Sequence, residues 1–372
     1  MPIRIAVVGM GMSATVFHGP FLQALPQFEL HTVVERSATP EHSKARDAFG
    51  SAVKVVTTLD EALRDADIDA VWVLTINSTH YDFVKQSLEA GKHVIVEKPV
   101  TPTSAEAYEL AQLATEKNLV LAVYQNRRWD ADFLTIKKLI ADGSFGAISE
   151  FQSNFDRFRN EAAVTKVWKE KDLPGSGLAY DLGSHLVDQL VDLFGPPDRV
   201  TARLINSRLI GNPSVPDSFK IQLEYSPAPD QSPSRALPLI ATAQSSSLSL
   251  LNPQQRFLVK GTGASFVKYG LDPQEDHLKQ FGKTAVQDPK FGIESQDRYG
   301  KLYRVEDAGK VPIEVPSEQG NYKAWFENVA EAIENGDRTK LIVKPEQAAL
   351  TIKVIELAIQ SSNEGRTIKF EP

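Results

Sequence analysis

The first 125 residues repeat one short unit, and that repetition leaves few folds open. Short β-rich, mostly apolar runs at 3–8, 30–34, 70–74, 93–96 and 119–123 alternate with helical stretches such as 61–64, 81–90 and 104–116. Strands that are apolar at consecutive positions are buried on both faces, which calls for a parallel sheet with helices above and below it. Parallel strands joined through helices take right-handed crossovers, so a doubly wound parallel sheet is expected over residues 1–125.

After Tyr124 the rhythm changes. A helix is expected at 130–142, a strand at 148–158, then a loop containing Pro174-Gly175-Ser176-Gly177 and a helical segment at 178–194. Between 199 and 266, segments such as Lys220-Ile221-Gln222-Leu223-Glu224-Tyr225 alternate in polarity, the pattern of a mainly antiparallel sheet with one covered face. The stretch 227–238, rich in proline, serine and aspartate, reads as a surface hairpin connection. Two helices (322–333 and 345–362) and a last edge strand (367–370) close the chain. The expected class is therefore α/β: a doubly wound domain at 1–125, then an α+β domain at 126–372 with a large, mainly antiparallel open sheet. A length of 372 residues fits two cores better than one.

Composition narrows the function mainly by exclusion. With no cysteine there is no disulfide framework, thiolate metal site or thiol nucleophile, and no metal is expected. A net charge of −7 opposes broad attraction to nucleic acid or anionic lipid, so a small-molecule partner is favoured. No apolar run approaches the ~20 residues that span a bilayer. The opening Met1-Pro2-Ile3-Arg4-Ile5 enters a strand without a basic region or cleavage site, and a cytoplasmic location is expected.

Gly9-Met10-Gly11-Met12-Ser13-Ala14 follows the first strand and opens a helix, as the dinucleotide fingerprint does, with alanine at the third small position. Gly9 permits the tight turn, Gly11 lets backbone approach a pyrophosphate, and Ala14 allows close packing; Met12 and Ser13 belong to the same cofactor-binding turn. The competing reading is a glycine-rich turn without a ligand, and the flanking strand and helix favour the dinucleotide. At the end of the second strand, Val34-Glu35-Arg36-Ser37 sends mixed signals. An acidic residue there binds a ribose hydroxyl, whereas an arginine accommodates a 2′-phosphate. Arg36 can pair with a phosphate and stack on adenine, so NADP is favoured, with NAD also open and Glu35 and Ser37 retained as cofactor candidates. In Thr75-Ile76-Asn77-Ser78-Thr79-His80 the candidates are Thr75, Asn77 and His80; the alternatives are a helix N-cap at Ser78 or Thr79 and simple packing for His80.

Lys98, in Glu97-Lys98-Pro99, ends the 93–96 strand, at the sheet edge where a nicotinamide is expected. Its ammonium can hydrogen-bond a reacting oxygen, and Glu97 beside it is a further cofactor-contact candidate. On a regular helix over 178–194, Asp181 and His185 share a face, with Asp188 near the same side. His185 can exchange a proton near neutral pH and Asp181 can orient the substrate or the imidazole. A helix N-cap and a packing histidine are the competing readings.

Taken in order, Gly9 to Ala14, Thr75 to His80, Glu97-Lys98-Pro99, Tyr124-Gln125-Asn126-Arg127-Arg128-Trp129 and the segment from Gly175 to Asp188 resemble the Gfo/Idh/MocA family of NAD(P)-dependent oxidoreductases along essentially the whole chain. The resemblance implies a Rossmann domain plus a domain with an open sheet. It also implies Lys98, Asp181 and His185 as the catalytic set, with His185 taking the proton in alcohol oxidation. Asn126 to Thr135, Phe155-Asp156-Arg157-Phe158-Arg159 and Ser265 to Asp276 resemble more closely the branch containing NADP-dependent scyllo-inositol dehydrogenases, which implies a polyol substrate. Arg36 fits that branch, whereas Glu35 departs from the smaller polar residue expected there.

From their chemistry, Asn126, Arg157, Trp168 and Tyr180 are candidates for binding hydroxyls or stacking on a sugar ring, and Asn126 and Trp168 for touching the cofactor. Arg127, Arg128, Trp129, Lys268 and Tyr269 read more readily as structural. The expected activity is reversible oxidation of a secondary alcohol on a cyclic polyol or sugar, in a homodimer or homotetramer formed through the second sheet. Two alternatives stay open: a non-catalytic sugar and dinucleotide sensor, and a reductase of a non-sugar carbonyl or imine.

Overall fold

The structure, a computed structural model, describes residues 1–162 and 170–371. Its contacts group into two compact units, one of residues 1–126, 274–291 and 321–349, the other of 127–273, 292–320 and 350–372. The first unit thus includes two later stretches of chain.

The first unit holds a six-stranded sheet, β1 (Ile3–Val8), β2 (Phe28–Val34), β3 (Lys54–Val56), β4 (Ala70–Val73), β5 (His93–Val96) and β6 (Leu121–Val123), with all neighbours parallel in the order β3-β2-β1-β4-β5-β6. Strands β1 and β5 match the sequence expectation residue for residue, and the doubly wound class holds. The order turns back on itself between β1 and β4, and ligands of open α/β sheets sit outside the carboxyl ends of the strands at such a reversal. Helices α1 (Gly19–Ala24), α2 (Lys44–Phe49), α3 (Leu59–Leu63), α4 (His80–Glu89) and α5 (Ser104–Glu116) connect the strands. Thr103 and Glu106 close a capping box on α5, which explains its sharp start.

The second unit is built on a nine-stranded sheet with helices α6 (Ala131–Ala141) and α7 (Ser184–Phe194). Its strands are β7 (Ile148–Asn154), β8 (Arg199–Ile205), β9 (Ser218–Tyr225), β10 (Leu239–Ser246), β11 (Gln255–Gly261), β12 (Ala264–Tyr269), β13 (Gly300–Arg304), β14 (Ile313–Val315) and β15 (Ile368–Lys369). Their order is β14-β13-β12-β11-β7-β10-β9-β8-β15, antiparallel except for the parallel pair β7 and β10. Residues paired across eight of these strands form one continuous buried row: Leu302, Phe266, Val259, Phe151, Ala241, Leu223, Val200 and Ile368. One position away, Lys301, Val267, Leu258, Gln152, Thr242, Gln222 and Thr201 line the opposite face. That period-two contrast is the one-sided sheet the sequence pattern calls for. Phe133 of α6 and Phe194 of α7 pack on the apolar side, against Phe257 and Phe151. The strand expected at 148–158 stops at Asn154, and Phe158 keeps only an isolated bridge to Leu248.

Helices α8 (Gln274–Phe281), α9 (Lys283–Gln287) and α10 (Tyr322–Glu334) belong to the first unit, and α11 (Pro345–Glu364) runs across the division. In the first unit Phe326 stacks on Phe21 at 4.4 Å, and Trp325 Nε1 donates to the Val123 carbonyl at 3.2 Å.

Candidate active site

Strand β1 delivers the chain into Gly9, whose φ of +99° only glycine adopts without strain. A Cβ there would also lie 2.9 Å from the Leu74 carbonyl oxygen. Gly11 differs: a Cβ would meet nothing within 4 Å, so the turn is open on that side. Ala14 is buried and Met12 exposed. A tight first glycine, an open second one and a small buried third position are what a dinucleotide pyrophosphate needs, so the turn fits that cofactor.

The helix that follows is not regular. Ser13–His18 is wound as a wider, π-type segment, with the Gly19 amide donating back to Ala14, five residues earlier. Residues five apart, Ser13 and His18, thereby come to one side, and both donate to Oε1 of Glu97: Ser13 through its hydroxyl and His18 through Nε2 at 3.1 Å. The Trp72 indole N–H, which can only donate, bonds His18 Nδ1 at 3.2 Å, so the imidazole hydrogen sits on Nε2. Oε2 of Glu97 accepts the Lys98 amide at 3.0 Å. Burial works against the Glu97 charge, but the hydrogen bonds from His18 and Ser13 outweigh it and hold this carboxyl below the usual range. Glu97, expected to touch the cofactor, is therefore engaged with the protein. His18 was not expected at all, because nothing local in the sequence pairs it with a residue 79 positions away.

At the end of β2 the acidic side chain is likewise engaged with the protein. Glu35 is buried and accepts from the Ser43 hydroxyl at 2.8 Å and from the amides of Lys44 and Ala45, each at 3.1 Å. It caps the start of α2, and despite the opposing effect of burial these bonds lower its carboxyl from the ordinary value. Arg36 and Ser37 are exposed. No bond or ion pair from the Arg36 guanidinium is found among the described residues.

Past β4, Thr75 and Thr79 hydroxyls meet at 2.7 Å, and Asn77 is buried at the start of a short 3-10 turn, Asn77–Thr79. Thr79 precedes α4 without capping it through its side chain. His80 is completely buried, Nδ1 facing the Pro99 carbonyl at 2.9 Å and Nε2 the Thr75 carbonyl at 3.2 Å. Burial pushes its pKa down, which favours the neutral ring, and the single N–H of that ring donates to one of these two carbonyls. Lys98 itself is partly exposed at the end of β5 and is followed by a cis bond to Pro99.

In the second unit the 178–194 segment is also divided, a π-type turn at Ala179–Gly183 preceding α7. Asp181 lies in that turn and His185 in α7, so the four-residue spacing does not carry its regular-helix meaning; π turns often mark functional sites. Asp181 is partly exposed and His185 buried to 7% exposure. Asp188, expected on the same polar face, instead receives Arg128 in a buried two-bond pair. Arg128 and Arg127 are thus structural, the latter pairing with Asp130 and lying 4.9 Å over the Phe155 ring. Arg157 covers the same ring at 4.9 Å. Tyr180 lines a shallow groove with Glu356, Gln360 and Asn363. Lys268 is bound to Glu294 in a buried ion pair. Asn126 is buried at the start of the turn Asn126–Trp129, and Trp168 lies outside the described residues.

Residues 3–125 match the model for the NAD-binding Rossmann fold of the Gfo/Idh/MocA oxidoreductase family, and residues 137–370 match its C-terminal alpha/beta domain. The chain belongs to the Gfo/Idh/MocA family. It is an NAD(P)-dependent oxidoreductase, as the notable similarity to other members of this family indicates. An uncharacterized oxidoreductase of Schizosaccharomyces pombe is 44% identical, over 99% of this chain and 98% of that protein. The scyllo-inositol 2-dehydrogenase (NADP(+)) of Bacillus subtilis is 37% identical, over 99% of this chain and 96% of the relative. Among solved structures, that of the putative oxidoreductase YvaA from Bacillus subtilis superposes with a TM-score of 0.87 at 35% identity, covering all of both chains.

Proposed function

We propose that this oxidoreductase reversibly oxidises a secondary alcohol of a cyclic polyol or sugar, inositol-like in shape, with NADP preferred over NAD. The full-length similarity to a relative named as an NADP(+)-dependent scyllo-inositol 2-dehydrogenase carries the substrate class. The engagement of Glu35 with α2 supports the cofactor preference. A carboxylate turned to Ser43, Lys44 and Ala45 is drawn towards the start of α2, and the exposed Arg36 next to it can pair with a 2′-phosphate.

In the proposed reaction the alcohol loses a hydride from carbon and a proton from oxygen. Bound nicotinamide supplies the hydride acceptor. His185 takes the hydroxyl proton, Lys98 hydrogen-bonds the reacting oxygen as it becomes a carbonyl, and Asp181 orients the substrate or the imidazole. Asn126, Arg157 and Tyr180 are proposed to bind the remaining hydroxyls. In reduction the proton returns from His185 to the carbonyl oxygen. His185→Ala and Lys98→Ala should each lower kcat severely while NADP(H) still binds; near-normal turnover in either variant contradicts the assignment.

We also propose a homo-oligomer formed through the open face of the second sheet, where Ile240 and Tyr303 are nearly half exposed among the otherwise polar outward positions of β10 and β13. Size-exclusion chromatography with light scattering tests it, and a monomer at micromolar concentration contradicts it.

A further inference from the structure

We infer that Glu97 is a positioning residue which, held by Ser13 and His18, ties the nucleotide-binding turn to the strand end carrying Lys98. The inference deepens the proposed function and rests on its placement of NADP(H) at the Gly9–Ala14 turn.

Three observations combine. One carboxylate oxygen receives both the Ser13 hydroxyl and His18 Nε2, while the other receives the Lys98 amide. Ser13 and His18 stand at the two ends of the π-type segment Ser13–His18. On a regular helix, residues five apart point ~140° away from each other, since each residue turns the helix by ~100°. The wider turn brings them onto one carboxylate, and that gives the irregular winding a purpose. Gly19 makes the winding feasible: a Cβ there would lie 2.6 Å from the Ala14 carbonyl oxygen.

His18 is itself fixed on every side. It is fully buried, receives Trp72, and lies against Tyr124 with ring centroids 4.2 Å apart and against Phe326 at 5.6 Å. A buried imidazole held this firmly cannot follow a moving partner, so the Glu97 carboxylate is locked and the Lys98 backbone with it. Ser13 belongs to the turn that meets the pyrophosphate. A shift of the turn is thus transmitted through one side chain to the end of β5, and the reverse also holds.

Glu97→Gln, His18→Phe and Ser13→Ala test the clamp in the full-length protein. The first readout is the Kd for NADPH, from quenching of tryptophan fluorescence, which needs no turnover. The second is kcat in the oxidation of scyllo-inositol by NADP. Each variant should raise the Kd roughly 10- to 150-fold, the range expected for one hydrogen bond to a charged group. Glu97→Gln combined with His18→Phe should cost no more than Glu97→Gln alone, because both break one linkage. A Kd within twofold of the parent in all three variants overturns the clamp, and so does full additivity. Should Glu97→Gln fail to fold, His18→Phe and Ser13→Ala carry the same test. Near-normal kcat in Lys98→Ala would overturn the catalytic assignment alone, since the Kd series reads the clamp independently of it. A loss of kcat in Glu97→Gln that adds nothing to that of Lys98→Ala supports transmission through Lys98.

Discussion

Arg128 grips Asp188 with two hydrogen bonds, Nε to Oδ2 at 2.8 Å and Nη2 to Oδ1 at 2.7 Å, and both side chains are almost wholly buried. A third bond, from Nη1 to Asp192 at 2.7 Å, extends the cluster, and Lys137 reaches the other oxygen of Asp192 at 2.9 Å. These partners fix α7, on which His185 lies three residues before Asp188. Arg128→Met should leave a buried carboxylate without its cation and cost about 3–5 kcal/mol in urea unfolding. Adding Asp188→Leu should recover much of that loss, because the uncompensated charge is then gone.

The same pair carries a pH dependence. Burial pushes the Asp188 carboxyl up, and Arg128 opposes it without reversing the direction. A raised folded-state pKa means the folded protein binds the proton more firmly, so this group favours folding below that pKa and ceases to as pH rises through it. Without the Arg128 opposition the rise is larger. The stability deficit of Arg128→Met should therefore shrink as the pH is lowered from 8 towards 5, and a deficit that grows over that range contradicts the assignment.

Gly9 and Gly11 separate the two roles of the nucleotide turn. Gly9→Ala places a Cβ against the Leu74 carbonyl at a φ of +99°, and about 1–3 kcal/mol of stability should be lost. Gly11→Ala meets nothing within 4 Å, so its melting temperature should stay close to the parent's while NADPH binding weakens. Equal losses of stability in the two variants would contradict this division.

For the cofactor, Arg36→Ala should lower kcat/KM with NADP by roughly tenfold or more, the value of a charge-assisted bond to phosphate, and should lower it much less with NAD. Glu35→Ala acts elsewhere, on the start of α2, and should lower stability by about 1 kcal/mol. Were Glu35→Ala instead to increase the preference for NADP over NAD with stability unchanged, its engagement with α2 would not be what removes it from the ribose.

The layout of strands was legible because β1, β4 and β5 are short, mostly apolar runs, and the second sheet because its inward row alternates with polar partners. The missed pieces are short or nonlocal. Strand β3 has three residues, too few to show a period, and α2 has six. The three bonds that engage Glu35 come from residues 8 to 10 positions later, where only a capping serine hints at them. His18 and Ser13 reach Glu97 across 79 and 84 residues, and only through a helical segment whose winding local propensity does not announce. The Asp181 and His185 spacing was visible, but the π-type turn that changes its meaning was not.

The central claim is a polyol dehydrogenase that prefers NADP, and initial rates of scyllo-inositol oxidation, followed by the absorbance of reduced nicotinamide with NADP and with NAD, test it most directly. The account predicts reduction of the nicotinamide with a higher kcat/KM for NADP, and loss of that rate in His185→Ala and Lys98→Ala. Absence of turnover with scyllo-inositol and with the other inositols and aldoses, or a higher kcat/KM with NAD, would contradict it.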